Sequence, residues 1–129
     1  MRARIALALL ALPVSALTAW AQERVGVRTG DHPGHGRIVF DWAEPPRYTV
    51  EREGDRVTLR FPEPDRIELS GARRLPRNIV AVRRVQGGVE LTLRPGAGLR
   101  HFRNGPKVAL DALDPPDAAE PAVRSQPAA

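Results

Sequence analysis

Gly54-Asp55-Arg56-Val57-Thr58-Leu59-Arg60-Phe61 and Gly88-Val89-Glu90-Leu91-Thr92-Leu93 decide the fold class. In each stretch an apolar residue falls at every second position, with a charged residue or threonine between. Successive side chains of a strand point to opposite faces. Period two therefore puts Val57, Leu59 and Phe61 on a buried face and Arg56, Thr58 and Arg60 on a wet one. The same alternation continues outward in Ile38, Phe40 and Trp42, in Tyr48 and Val50, and in Val108, Leu110 and Ala112. β-Branched and aromatic residues dominate these sets, as a pleated surface favours. Turn chemistry lies between them. Glu53-Gly54-Asp55, Gln86-Gly87-Gly88 and Asn104-Gly105-Pro106 read as hairpin turns, and Ala43-Glu44-Pro45-Pro46 and Pro95-Gly96-Ala97-Gly98 as longer connections. Only Leu69–Leu75 offers a weak helical turn. The pattern predicts an all-β antiparallel sandwich.

The alternation repeats at a displacement of 51 residues without a gap: Ile38 meets Val89, Phe40 meets Leu91, Trp42 meets Leu93, Gly54 meets Gly105, Val57 meets Val108 and Leu59 meets Leu110. This predicts two copies of one three-strand unit, each with a lead strand, at Arg24–Arg28 and Asn78–Val85. Two such units can bury each other's apolar faces, which neither could do alone.

The ends read differently. Arg2 and Arg4 precede an apolar run from Ile5 to Leu17, and Ala19-Trp20-Ala21 follows as a small-x-small site. Charged, apolar and cleavable segments in that order mark a signal peptide, residues 1–21, with the mature chain starting at Gln22. The apolar run is too short to span a bilayer. The expected location is periplasmic, with no membrane span in the mature chain. Asp114 to Ala129 is rich in Asp, Pro, Ala and Glu, and is expected to be a disordered tail, because it holds too little apolar surface to offset its ordering entropy. The β domain is thus expected over residues 22–113.

Composition narrows the chemistry. The chain of 129 residues contains no cysteine, which removes disulfides, thiolate metal ligands, thiol nucleophiles and a lipid-bearing cysteine. Twenty Lys and Arg against 15 Asp and Glu give a formal charge of +5. The plainer reading of this modest excess is a genomic bias toward Arg and Ala; export takes the protein away from most nucleic acid, so the electrostatic alternative is attraction to an anionic envelope polymer. His32-Pro33-Gly34-His35 beside Asp31 has no recognised metal spacing and reads as a polar loop. Asp41 and Asp111 read as strand-end acids making turn hydrogen bonds. No Gly-x-Ser-x-Gly elbow and no Gly-rich phosphate loop is present. The expectation is no catalytic residue, no cofactor and no metal.

Arg37-Ile38-Val39-Phe40-Asp41, Tyr48-Thr49-Val50 and Gly54-Asp55-Arg56-Val57-Thr58-Leu59 resemble the first half of an AMIN (amidase N-terminal) domain. Gly88 to Leu93, Leu99 to Phe102, and Gly105-Pro106-Lys107-Val108-Ala109-Leu110-Asp111 resemble its second half. The resemblance covers about Arg24 to Asp114. It implies a β-sandwich of two related sheets that localises envelope proteins, with peptidoglycan as the usual proposed ligand.

The candidate binding residues are Arg73, Arg74, Arg77, Arg83 and Arg84, which fall within 12 residues at the junction of the halves. Guanidinium forks hold carboxylates and phosphates in a bidentate way; the plainer reading is a solvated charged connector. Trp42 and Tyr48 read as core, or as sugar-stacking rings if exposed. The expected function is a non-catalytic envelope-targeting module whose partner is peptidoglycan or an envelope protein complex. The alternatives are an assembly adaptor that pairs through an edge strand, and the N-terminal fragment of a larger envelope protein.

Overall fold

The computed structural model describes residues 23–116. The predicted signal peptide and the tail beyond Pro116 lie outside the described residues. Eight strands form in chain order: β1 (Gly26–His32), β2 (His35–Asp41), β3 (Thr49–Glu53), β4 (Arg56–Arg60), β5 (Ile79–Val85), β6 (Gly88–Leu93), β7 (Gly98–Asn104) and β8 (Lys107–Leu113). Two short 3-10 turns, Pro64–Arg66 and Leu69–Ala72, interrupt the connection from β4 to β5. The strands make two four-stranded antiparallel sheets, ordered β1-β2-β8-β7 and β3-β4-β6-β5. Among the described residues no helix is long and apolar enough to cross a membrane.

The period-two residues form the layer between the sheets. Ile38, Phe40, Val108, Leu110 and Ala112 from the first sheet and Val57, Leu59, Val89 and Leu91 from the second are completely buried, in one cluster. Phe40 and Phe61 meet across the layer with ring centroids 5.3 Å apart. Each large apolar side chain so buried contributes about 1.5–3 kcal/mol.

The lead strands differ in detail from the sequence reading. The first runs Gly26–His32 rather than Arg24–Arg28. His32 and His35 are direct cross-strand partners. His32-Pro33-Gly34-His35 is therefore the tight β1–β2 hairpin, with Gly34 at φ 85 supplying the left-handed residue it needs. Val25 instead makes a parallel bridge to Ile67. The second lead strand begins at Ile79 and carries a register shift between Ile79 and Ala81.

The β4–β5 connection lies along the edge of β1. The Val25 N–H donates to the Arg66 carbonyl and the Glu68 N–H to the Val25 carbonyl. A Cβ at Gly71 would overlap the Val27 carbonyl oxygen, so only glycine permits this approach. At the other terminus Asp114, the first residue of the expected tail, is held to the domain. Its N–H donates to the Gly34 carbonyl, and its carboxylate accepts from Arg77 and Asn78.

Candidate functional site on the outer face of the first sheet

Register lays the outward side chains of β1-β2-β8-β7 in rows. Cross-strand partners give Arg28–Val39–Ala109–Phe102 as one row and Gly30–Arg37–Asp111–Arg100 as the next. The first row leaves a trough of small and apolar residues, and the second is charged. A shallow groove of about 280 Å³ follows the trough, with Val39 and Ala109 among its lining and Arg28, Arg37, Lys107, His32 and Phe102 around it. The Arg37 guanidinium lies over the Phe102 ring, 5.2 Å from its centroid, a cation–π contact.

The two acids of this face lie beneath its cations. Asp111 has no exposed side-chain surface. One of its oxygens accepts from Arg37 Nε at 2.7 Å and the other from Arg37 Nη2 at 3.0 Å and Arg100 Nη2 at 2.7 Å. Burial pushes the Asp111 carboxyl up, but hydrogen bonds from Arg37 and Arg100 and the charge of Arg37 outweigh it and hold the group below the usual carboxylate range. Asp41 is 22% exposed, bound by Arg28 in a bidentate pair and approached by Lys107 at 3.4 Å. The Arg28 hydrogen bond holds its carboxyl low as well, against the opposing effect of burial. Arg28, Arg100 and Lys107 remain 61%, 51% and 40% exposed. The acids thus orient the cations while the cations face solvent, and Arg28, Arg37, Arg100 and Lys107 outnumber Asp41 and Asp111 on the face.

Asp41 and Asp111 therefore do not act as the turn acids expected from their strand-end positions. Both are cross-strand anchors, because the neighbouring strands place arginines against them. These arginines were not among the candidates. The signal was the outward half of each alternating run, which decides nothing until strand order is known.

The structure does not bring the five candidate arginines together. Arg77 pairs with Asp114 at 2.6 Å. Arg83 pairs with Glu90 at 2.8 Å, while Arg84 donates to the carbonyls of Pro64 and Ile67. Adjacent strand residues face opposite ways, so Arg83 and Arg84 cannot converge. Arg73 and Arg74 are exposed and their guanidinium groups make no hydrogen bond among the described residues. The outer face of the second sheet is balanced: Arg56, Arg60 and Arg83 lie among Glu51, Glu53 and Glu90.

His32 and His35 stack with centroids 4.8 Å apart, at the hairpin end of the charged face. His35 Nε2 lies 3.7 Å from Asp111. Among the described residues no group of three or more His, Cys, Asp or Glu is placed to hold a metal. Trp42 is core, 5% exposed, against Phe61. Tyr48 is half-buried, its hydroxyl 2.9 Å from His101 Nδ1. No known protein family, curated protein or solved structure matches the chain.

Proposed function

We propose that the chain is a non-catalytic, exported envelope-targeting domain that holds its complex on an anionic polymer, peptidoglycan in the first instance, through the outer face of β1-β2-β8-β7. The observation that carries this reading is the layering of charge: Asp111 is fully covered and Asp41 largely so, while Arg28, Arg100 and Lys107 stand above them. Guanidinium groups fixed in this way lose little freedom on binding a carboxylate or phosphate. The trough beside them gives an apolar or sugar portion a place to lie. The leader at residues 1–21 and a periplasmic location belong to the same proposal.

An origin by duplication belongs to it as well. Adding four to the strand numbers of β1-β2-β8-β7, with β8 and β7 returning to β4 and β3, produces β5-β6-β4-β3, the order of the other sheet. This supports the 51-residue repeat read from the sequence.

The test is co-sedimentation of the mature chain from Gln22 with purified sacculi at low and moderate salt. Retention is expected at low salt and is weakened by salt, since exposed charges are screened. Arg28→Ala with Lys107→Ala lowers retention about twofold to thirtyfold, two exposed charge contacts each contributing on the order of 0.2–1 kcal/mol. Arg56→Ala with Arg60→Ala leaves it unchanged. A folded chain that stays in the supernatant at both salts removes the polymer reading.

A further inference from the structure

A second concavity lies at the end of the sandwich where β2 and β4 run out. Its volume is about 480 Å³, and Trp42, the loop from Ala43 to Arg47, Pro62, Glu63, Arg66 and Glu23 line it. That volume suits a small ligand or a few residues of peptide. Trp42 is 5% exposed, and its indole Nε1 has no hydrogen-bond acceptor among the described residues. A buried donor left unpaired costs about 1–3 kcal/mol. Arg66 donates to the Glu23 carbonyl and to the Glu63 carboxylate. The same guanidinium lies over the Trp42 ring at 5.4 Å and braces it. Glu23 and Glu44 are exposed, and their carboxylates make no hydrogen bond among the described residues. Pro45, Pro46 and Pro62 form walls that have no N–H to offer.

We infer that this end pocket takes an extended basic segment of a protein partner, one of whose backbone carbonyls accepts the Trp42 indole N–H while a Lys or Arg side chain lies between Glu23 and Glu44. The indole demands an acceptor, the free carboxylates demand a cation, and proline and tryptophan surfaces suit an extended chain rather than a helix. Nε1 is itself covered, so the proposed contact requires the pocket wall to yield. This inference goes beyond the polymer reading and does not depend on it. The sheet face attracts anions and the end pocket a cation, so the domain can hold both at once.

The chain contains two tryptophans, Trp20 and Trp42. Trp20 lies in the proposed leader, so in the ¹⁵N-labelled mature chain from Gln22 the indole N–H resonance reports Trp42 alone. The probe is acetyl-Pro-Lys-Pro-Lys-Pro-amide, compared with the same peptide bearing Glu in place of Lys, and with N-acetylglucosamine. The expected result is a saturable downfield shift with the basic peptide only. Glu23→Gln with Glu44→Gln weakens the apparent affinity about fivefold or more, from two exposed charge contacts. Trp42→Phe, followed by backbone amides of the loop, weakens it further. If that variant does not fold, the two exposed glutamate substitutions still decide the matter. No shift with the basic peptide, an equal shift with the acidic one, or a shift with the sugar instead each overturns the inference.

Discussion

Asp111 is the residue on which the outer face of the first sheet depends. It is a charged side chain with no exposed surface on the solvent side of a sheet, covered by the arginines of the strands on either side. Asp111→Asn keeps its shape and removes its charge, leaving Arg37 and Arg100 facing each other across β8. The expected loss is about 2–3 kcal/mol, read from the urea midpoint. The acid response follows from the direction of the shifts. The carboxyls of Asp41 and Asp111 are lower in the folded protein than in the unfolded chain. Their stabilisation is fully present above the unfolded carboxylate value, about pH 4, and is lost as pH falls from there through the lowered folded values. The urea midpoint is therefore level from pH 7 to 5 and falls below about pH 4, less steeply in Asp111→Asn; a slope unchanged by that substitution counts against the assignment. None of this was legible at the residue itself. Arg37 and Arg100 stand 74 and 11 positions from Asp111, and only strand register brings them together.

At the scale of elements, the hairpins were legible and the long connection was not. A hairpin is set by local signals, alternation and a left-handed glycine, and Gly54, Gly87 and Gly105 all have positive φ where the sequence placed turns. The β4–β5 connection is fixed by contacts to β1 across roughly 40 residues, such as Thr29 Oγ1 donating to the Arg74 carbonyl, and no local pattern announces them. The same distance explains the dispersal of the candidate arginines, which fall within 12 residues of the chain but are placed by different partners. The connection protects the β1 edge from pairing with another chain. Gly71→Ala forces it away from Val27 and is expected to cost about 1–3 kcal/mol, with faster amide exchange along β1 than along β8. Uniform acceleration of both strands indicates a global rather than a local loss.

At the scale of the molecule, each sheet joins one hairpin from the first half of the chain to one from the second: β1-β2 with β8-β7, and β3-β4 with β6-β5. Neither half contains a closed layer. Residues 22–75 and 76–129, made separately, are therefore expected to lack strand structure by circular dichroism and to regain it on mixing; a half that folds alone contradicts the interleaving. The class of fold was legible because burial alternates wherever a sheet has one wet face. The interleaving was not, because the alternating pattern says which face is buried and nothing about which strand lies beside which.

Interleaving also sets the order of events as the chain is made. β2 must wait for β8, whose last residue is Leu113, before the first sheet is complete. Pairing of segments so far apart in sequence is intrinsically slow. The second sheet is complete once β6 ends at Leu93, but its apolar face has no opposing layer to bury it until β8 has been made, so up to that point the chain holds only half of a sandwich.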